Sequence, residues 1–323
     1  MSLLNDFQHD FPLTQRPFHV IGEQLGISED EVLQHFTHLK EEGAVSRVGP
    51  VFSPGCIGAS TLAALAVPQE KLELLAQWLN RLPEINHNYQ REHHYNLWFV
   101  ATAPDAGKLN TTLANIAQHA DCPMLVLPLL ESFHIDLGFD LLANEPRRHC
   151  SPNIGIRTQL NEEQTAIVAA LQSGIPLLPE PFADISMRLH MKPDTVLAQI
   201  MRWREQSVIK RFGVVVRHHE LGYRENAMAV WDVPDEMVSA IGKIAARQPG
   251  VTLCYRRTRQ LPDWPYNLYC MVHGTERATV QAQVAAIARA SGLADFPVHI
   301  LFSNRRFKQH GAQYVLEENH GRH

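Results

Sequence analysis

The apolar pattern at the start of the chain predicts short helical segments. Residues Ser28–Glu31 form a capping box, in which the serine hydroxyl and the glutamate carboxylate each accept a hydrogen bond from a backbone amide. Apolar residues then recur at intervals of three and four over 32–39, and the segment 17–25 suits a helix with proline in its first turn. Two helices followed by a β-rich stretch over 44–52 indicate a winged helix-turn-helix.

Strand and helix patterns alternate in the segment that follows. Their order is β-α-β-β-α-β, which is typical of a ferredoxin-like domain. The predicted segments are Thr61–Val67, Gln69–Leu82, Ile85–Tyr89, Tyr95–Ala103, Ala106–His119 and Met124–Leu130.

The same unit occurs twice in the chain. Pro12 and Pro17 correspond to Pro176 and Pro181, and the register between the copies changes only at loop-like places. The second ferredoxin-like pattern covers 227–233, 235–247, 251–255, 266–273, 277–291 and 297–302. We therefore predict an α+β fold built from a tandem duplicated unit. The predicted domains are helix-turn-helix domains at 1–58 and 156–222 and ferredoxin-like domains at 59–150 and 223–318.

Composition and charge narrow the class of protein. The chain of 323 residues is 45% apolar and 20% charged, which is typical of a globular protein. Its net charge of −5 is unlike that of a protein that binds nucleic acid mainly through the phosphates. No apolar run is long enough to span a membrane, and we expect no signal peptide. Five cysteines without a Cys-x-x-Cys pair indicate reduced thiols, no metal site and a cytoplasmic location.

Two long strings of mixed composition carry the candidate chemistry, HNYQREHHYNLWF at 87–99 and CYRRTRQLPDWPYNL at 254–268. They resemble the signatures of the two subunits of siroheme decarboxylases, which are Lrp/AsnC-like enzymes of haem d1 biosynthesis and of the alternative haem pathway. The chain resembles the fused NirD–NirL form along essentially its whole length. The resemblance implies removal of the carboxyl groups of the C12 and C18 acetate side chains of siroheme, giving 12,18-didecarboxysiroheme and CO2.

The residue types in these strings suit that substrate. Siroheme is a flat macrocycle with many carboxylates, so its site needs aromatic faces for the ring and fixed cations for the rim. We expect Arg91 and Arg257 to hold the two sides of the ring and a histidine to donate the proton that replaces a carboxyl group. His93 is the preferred donor, and His94 is the alternative. The predicted substrate-binding residues are His87, Tyr89, His94, Tyr95, Tyr255, Arg256, Arg259, Trp264, Tyr266, Arg47 and Arg211. The last two suit ion pairs between domains equally well. We expect no cofactor, because the iron arrives with the substrate.

Three alternatives stay open at this point. His93 corresponds to Arg259 in the second copy, so one half can be catalytic and the other a binding half, or the halves can share one site. A DNA-binding regulator of the Lrp/AsnC type is the alternative function, although acids at 29–31 open the first recognition helix and would repel phosphates. A non-catalytic tetrapyrrole carrier is the third.

The resemblance also sets expectations for partners. We expect a homodimer of the fused chain, by analogy with Lrp-like proteins, and contacts with other proteins of haem d1 biosynthesis. Neither a nucleic acid nor a membrane is an expected partner.

Overall fold

The computed structural model of the chain describes residues 6–135, 139–140, 145–146, 158–216 and 225–315. The chain forms two compact units. The first comprises residues 1–57, 153–221 and 314–323, and the second comprises 58–152 and 222–313. Each unit therefore combines equivalent segments of both copies, the helix-turn-helix segments in the first and the ferredoxin-like segments in the second.

Regular elements follow the duplicated order along the chain. The helices are α1 (Pro17–Leu25), α2 (Glu29–Glu41), α3 (Gln69–Arg81), α4 (Ala106–Ala120), α5 (Glu162–Leu171), α6 (Pro181–Arg188), α7 (Thr195–Glu205), α8 (Val238–Ala245) and α9 (Arg277–Ser291). The strands are β1 (Val45–Phe52), β2 (Ala59–Leu65), β3 (Ile85–Arg91), β4 (Leu97–Ala103), β5 (Met124–Ile135), β6 (Phe139–Asp140), β7 (Glu145–Pro146), β8 (Ile209–Val216), β9 (Glu225–Trp231), β10 (Val251–Arg257), β11 (Leu268–Gly274) and β12 (Val298–Gln309).

Capping boxes fix two helix starts in the first unit. Ser28 Oγ accepts from the Glu31 amide at 3.2 Å, and the Glu31 carboxylate accepts from the Ser28 amide at 2.8 Å. The Ser28 amide and the Ser28 hydroxyl, at 2.7 Å, both donate to the Glu31 carboxylate, and these two hydrogen bonds lower the pKa of Glu31. Asn161 and Gln164 form an equivalent box at the start of α5. The predicted box at Ser28 is thus confirmed.

The β-rich stretch after each helix pair pairs with its equivalent in the other copy. Strands β1 and β8 run antiparallel, with Gly49 opposite Gly213. The backbone oxygens of Phe7 and Gln8 lie where a Cβ on residue 213 would be, so only glycine fits there. The two wings therefore form one shared ribbon, which the pattern of a single copy does not predict.

The second unit is a closed barrel of eight strands in the order β10-β11-β9-β12-β3-β4-β2-β5. Each copy supplies four neighbouring strands in the order that a ferredoxin-like β-α-β-β-α-β chain adopts. Helices α3 and α4 bury their apolar faces against the outside of the first sheet, and α8 and α9 do the same on the second. The predicted fold class is confirmed.

Two long strands close the barrel between the copies. The first part of β5 pairs with β2 of its own copy, and the part from Leu129 to Ile135 pairs with β10 of the other copy. Strand β12 likewise pairs first with β9 and then, from Ser303 to Gln309, with β3. We predicted that these strands end at Leu130 and Phe302, which is wrong because the pairing partner of each extension lies in the other copy.

Apolar and aromatic side chains fill the barrel interior. The cluster includes Trp98, Met228, Trp264, Tyr269 and Leu301, each at most 4% exposed. None of the helices in the described ranges is long and apolar enough to cross a membrane.

Candidate functional site

The two predicted strings lie in two hairpins, one formed by β3 and β4 and the other by β10 and β11. The first tip is the connection 92–96, and the second tip is the connection 258–267. An asparagine anchors each tip to the sheet in the same way. The Asn96 side chain accepts from the Val67 amide at 3.0 Å and donates to the Val67 carbonyl at 2.8 Å. Asn267 makes the same two contacts with Val233, at 3.1 and 2.8 Å. Both asparagines lie within the predicted strings, but sequence reasoning assigned them no role.

Arg91 and Arg257 occupy equivalent places on the inner face of the barrel. Nη1 of Arg91 donates to the Leu301 carbonyl at 2.8 Å, and Nη1 of Arg257 donates to the Leu127 carbonyl at 2.8 Å. Each arginine thereby crosses from its own copy to the last strand of the other copy. Burial lowers the pKa of Arg91 to about 10, so the guanidinium stays protonated at neutral pH.

Aromatic rings accompany both arginines. The Arg91 guanidinium carbon lies 5.6 Å from the Tyr89 ring centroid, and that of Arg257 lies 5.0 Å from the Tyr255 ring centroid. These distances suit cation–π contacts. Nε of Arg257 is buried without a hydrogen-bond partner in the described part of the chain.

The first tip brings His93 to the barrel interior. Nδ1 of His93 accepts from the Tyr95 amide at 3.0 Å, so the neutral ring carries its proton on Nε2. Its ring centroid lies 4.8 Å from that of His299 and 5.4 Å from that of Trp264. Burial, assisted by His299 and His94, lowers the pKa of His93 to about 4. His93 is therefore neutral at neutral pH in the unliganded protein.

The second tip inserts Trp264 into the same region. Its side chain is fully buried, and Nε1 donates to the Tyr269 hydroxyl at 2.6 Å. The Trp264 ring lies 6.3 Å from Tyr95, 4.9 Å from Tyr266 and 5.2 Å from Trp98, measured between centroids. Tyr95, Trp264 and Tyr266 therefore converge, with His93 among them. The other two predicted tyrosines, Tyr89 and Tyr255, lie beside the two arginines instead.

The other two arginines of the second string form ion pairs with aspartates. Arg259 contacts Asp232 at 2.8 Å and Asp235 at 2.6 Å, and Arg256 contacts Asp235 at 3.0 Å. The hydrogen bond from Arg259 is the main reason that the pKa of Asp235 is lowered. Gln260 extends this tip by bonding the Val126 amide and the Met124 carbonyl of β5.

His87, Tyr89 and His94 lie at different depths. His87, Tyr89 and Arg91 occupy every second position of β3 and therefore share its inner face. The ring centroids of His87 and Tyr89 are 6.3 Å apart. Burial, with a smaller effect of His310, lowers the pKa of His87 to about 4. His94 is exposed at the first tip, with its ring centroid 5.2 Å from that of Tyr95.

Arg47 and Arg211 belong to the first unit. Nη1 of Arg47 donates to the Pro50 carbonyl at 2.8 Å, and Nη1 of Arg211 donates to the Gln8 carbonyl at 2.7 Å. Burial lowers the pKa of Arg47 to about 10. Both arginines thus bond the backbone of their own unit.

Sequence reasoning missed a polar group beside Arg91 and a histidine beside His93. Nη2 of Arg91 donates to the Asn226 side chain at 3.3 Å, and the Asn226 amide lies 3.4 Å from Nε2 of His273. Nδ1 of His273 lies 3.1 Å from the Thr252 hydroxyl. His299 corresponds to Leu125 in the other copy. This replacement of an apolar residue by a polar one is the sequence signal that could have identified His299.

Comparison with known proteins identifies the family. A model of the AsnC-like ligand binding domain matches residues 57–134 and 220–308, and a model of the siroheme decarboxylase NirDL-like HTH domain matches 1–45 and 164–210. The siroheme decarboxylase NirDL subunit of Paracoccus denitrificans is 41% identical over 97% of this chain and 96% of its own length. The chain belongs to the siroheme decarboxylase NirDL family.

Solved structures of this family share the fold. The crystal structure of a siroheme decarboxylase NirDL matches with a TM-score of 0.73 at 30% identity, covering 98% of this chain and 94% of that one. A second NirDL structure, in co-complex with an iron-uroporphyrin III analogue, matches with a TM-score of 0.71 at 29% identity over 96% of this chain and 92% of that one. Membership in the NirDL family thus covers both copies and both tips.

Proposed function

We propose that this chain removes the carboxyl groups of the C12 and C18 acetate side chains of siroheme, giving 12,18-didecarboxysiroheme and CO2. The observation that carries the proposal is the match to siroheme decarboxylases over nearly the whole chain. The barrel supports it, because His93, Tyr95, Trp264 and Tyr266 converge beside buried arginines that suit a flat polycarboxylate.

The reaction needs electron delocalisation and one proton for each carboxyl group removed. The bond between the methylene carbon and the carboxyl carbon breaks, and its electron pair stays on the methylene carbon, where the macrocycle delocalises it. CO2 leaves, and a proton adds to this carbon to give a methyl group. Aromatic side chains around the tips limit water near the departing carboxylate, which favours release of a neutral product.

In this proposal His93 delivers the proton. Its Nδ1 is held by the Tyr95 amide, which directs Nε2 away from the backbone. The carboxylates of a bound substrate favour the protonated ring and raise its pKa from about 4. Proton uptake by His93 therefore accompanies substrate binding, and the proton is available once the carboxyl group has left.

Arg91 and Arg257 orient the substrate in the same scheme. Each uses Nη1 to bond a backbone carbonyl, and an arginine carries five N–H donors, so further N–H groups can bind carboxylates. The homodimer, which the resemblance implies, the cytoplasmic location, which the cysteines indicate, and the lack of a cofactor all stay predictions.

Anaerobic incubation of the purified chain with siroheme tests the proposal. We expect the mass of the tetrapyrrole to fall by two carboxyl groups released as CO2, and a parallel incubation without protein to leave siroheme intact. A tetrapyrrole that stays bound with unaltered mass would instead indicate a carrier.

DNA binding remains the competing function, and one observation weakens it. The first turn of α2 carries Glu29, Asp30 and Glu31, and Asp194 directly precedes α7. Carboxylates at these helix starts repel the phosphates that a recognition helix approaches. A shifted DNA band at physiological salt would favour the regulator.

A further inference from the structure

The barrel has two equivalent seams where strands of different copies meet. The first seam is the pairing of β3 with the second part of β12, and the second seam is the pairing of β10 with the second part of β5. Their registers agree: Tyr89 lies opposite Arg306 in the first seam, and Tyr255 lies opposite Ser132 in the second. Because of the duplication, each residue of the first seam can be compared with the residue at the equivalent position of the second seam.

The two seams differ in polarity on the inner face. Residues that lie directly opposite each other in an antiparallel pair project to the same face. The first seam presents His87, Tyr89, Arg91, Ser303, Arg306 and Gln309. At the described positions the second seam presents Leu253, Tyr255, Arg257, Leu129 and Ser132. Tyrosine and arginine are common to both seams, but the additional guanidinium and the imidazole belong to the first.

Positive charge concentrates around Tyr89. Burial raises the pKa of the Tyr89 hydroxyl, and the charges of Arg91 and Arg306 both act in the opposite direction. Nη1 of Arg306 donates to the side-chain oxygen of Gln309 at 3.1 Å, a contact along the same strand. Arg306 and its neighbours His87 and Gln309 are partly exposed, so a ligand can reach them.

The polar group beside Arg91 also favours the first seam. The Asn226 side-chain oxygen accepts from Arg91, and His273 and Thr252 continue the chain of polar contacts. The positions equivalent to Asn226 and His273 in the other copy are Ser60 and Thr102, which bond each other at 3.2 Å.

We propose that the first seam binds the carboxylate-bearing rim of the substrate and that Arg306 belongs to this binding site, which we call the seat. The second seam does not bind a second molecule of substrate. This inference rests on the proposed function, since it concerns where the same tetrapyrrole binds. A polycarboxylate gains from two guanidinium groups and an imidazole on one face, whereas the apolar residues of the second seam offer one guanidinium. The chemical class of ligand is a flat tetrapyrrole with several carboxylates.

Siroheme titration of the full chain under anaerobic conditions, followed by the absorbance of the tetrapyrrole, tests the seat. We compare Arg306→Ser, which installs the residue of the second seam, with Arg305→Ser. Arg305 is the matched control because it is the neighbouring exposed arginine and bonds Glu73 of α3 instead. Because Arg306→Ser loses a charge-assisted hydrogen bond to the ligand, we expect its Kd for siroheme to rise by about 10-fold or more. The Kd of Arg305→Ser should stay close to that of the wild type.

The stoichiometry and a second variant complete the test. We expect one siroheme per chain in the wild type, and Leu253→Trp, which fills the second seam, to retain it. Two molecules per chain, or wild-type affinity in Arg306→Ser, would overturn the seat. If urea denaturation shows that Arg306→Ser does not fold, Arg306→Gln keeps a side chain that can bond Gln309, and the same increase in Kd is expected.

Conversion of siroheme by the wild type is measured in the same preparations, which separates the two proposals. If the wild type releases CO2 and Arg306→Ser binds siroheme normally, the seat fails and the proposed function stands. If Arg306→Ser binds siroheme more weakly than the wild type but the wild type releases no CO2, the proposed function fails and the seat stands.

Discussion

His93 combines a fixed orientation with a suppressed positive charge. The Tyr95 amide holds Nδ1, and burial beside His299 keeps the ring neutral at neutral pH. A neutral imidazole is a poor acid, so proton donation by His93 depends on the negative charge that the substrate brings. The neighbouring His94 lies exposed on the same tip and provides a natural control.

Replacement of His93 by asparagine tests the proton donor. Asparagine can still accept from the Tyr95 amide but has no acidic proton, so we expect decarboxylation to slow by about 100-fold or more while siroheme still binds. His94→Asn should retain the wild-type rate. CO2 release and absorbance titration measure the two effects, and an undiminished rate in His93→Asn would end this role.

The low pKa values of His87 and His93 predict how stability depends on pH. Both are about 4 in the folded protein and about 6.5 in the unfolded chain, so between these values the unfolded state binds more protons. The free energy of unfolding should therefore fall as the pH falls from 6.5 towards 4. Urea denaturation at several pH values measures this slope, which should be shallower in His87→Gln. An equal slope in the variant would contradict the burial of a neutral His87.

At the scale of elements, the two tip asparagines fix the hairpins to the sheet. Asn267 is 1% exposed, whereas Asn96 is half-buried, although both make the same pair of backbone contacts. A buried backbone group that loses its partner costs more than one that water can reach.

Alanine substitutions measure this difference. Asn267→Ala removes this partner of the Val233 amide, whereas the Val233 carbonyl keeps its hydrogen bond from Arg259, and we expect a loss of about 1–3 kcal/mol in the free energy of unfolding. Asn96→Ala should cost less, because water can replace part of the contact with Val67. Urea denaturation gives both values, and equal losses would show that burial does not decide the effect.

The element order was predictable from the sequence, but the strand pairing between copies was not. Alternating apolar patterns reveal β2 to β5 and their repeats because one face of each sheet packs on helices. The extensions of β5 and β12 carry polar residues such as Ser132, Asn304 and Arg305, which resemble a loop until the other copy supplies a neighbour. A pattern within one copy contains no information on that neighbour.

The candidate site was predictable to a similar depth. The two strings indicated a site of arginines, aromatic rings and a histidine, and the structure brings both strings into one barrel. His299 and Asn226 were missed because each lies far along the chain from the strings that it contacts. Trp264, predicted from its string to face the substrate, is fully buried in the barrel interior.

At the scale of the whole molecule, the two copies depend on each other for strand pairing. Alone, the first copy would leave the outer edge of β3 and the extension of β5 without partners, and unpaired edges promote association. The wing ribbon adds the pairing of β1 with β8 in the first unit.

Separate expression of residues 1–152 and 153–323 tests this dependence. We expect the two pieces to form a one-to-one complex on mixing and to convert siroheme only together. Light scattering measures the mass of the complex, and product analysis measures conversion. Two stable monomers, or conversion by one piece alone, would contradict the shared barrel.

The crossed placement of β12 has a genetic consequence. Arg306 belongs to β12 of the second copy, yet it lies opposite Tyr89, which belongs to β3 of the first copy. A frameshift or stop codon in the segment that encodes β12 would therefore damage the first copy as well as the second. Recombination that swaps one copy for that of a relative must likewise preserve compatibility across both junctions, so the two copies are constrained to evolve together.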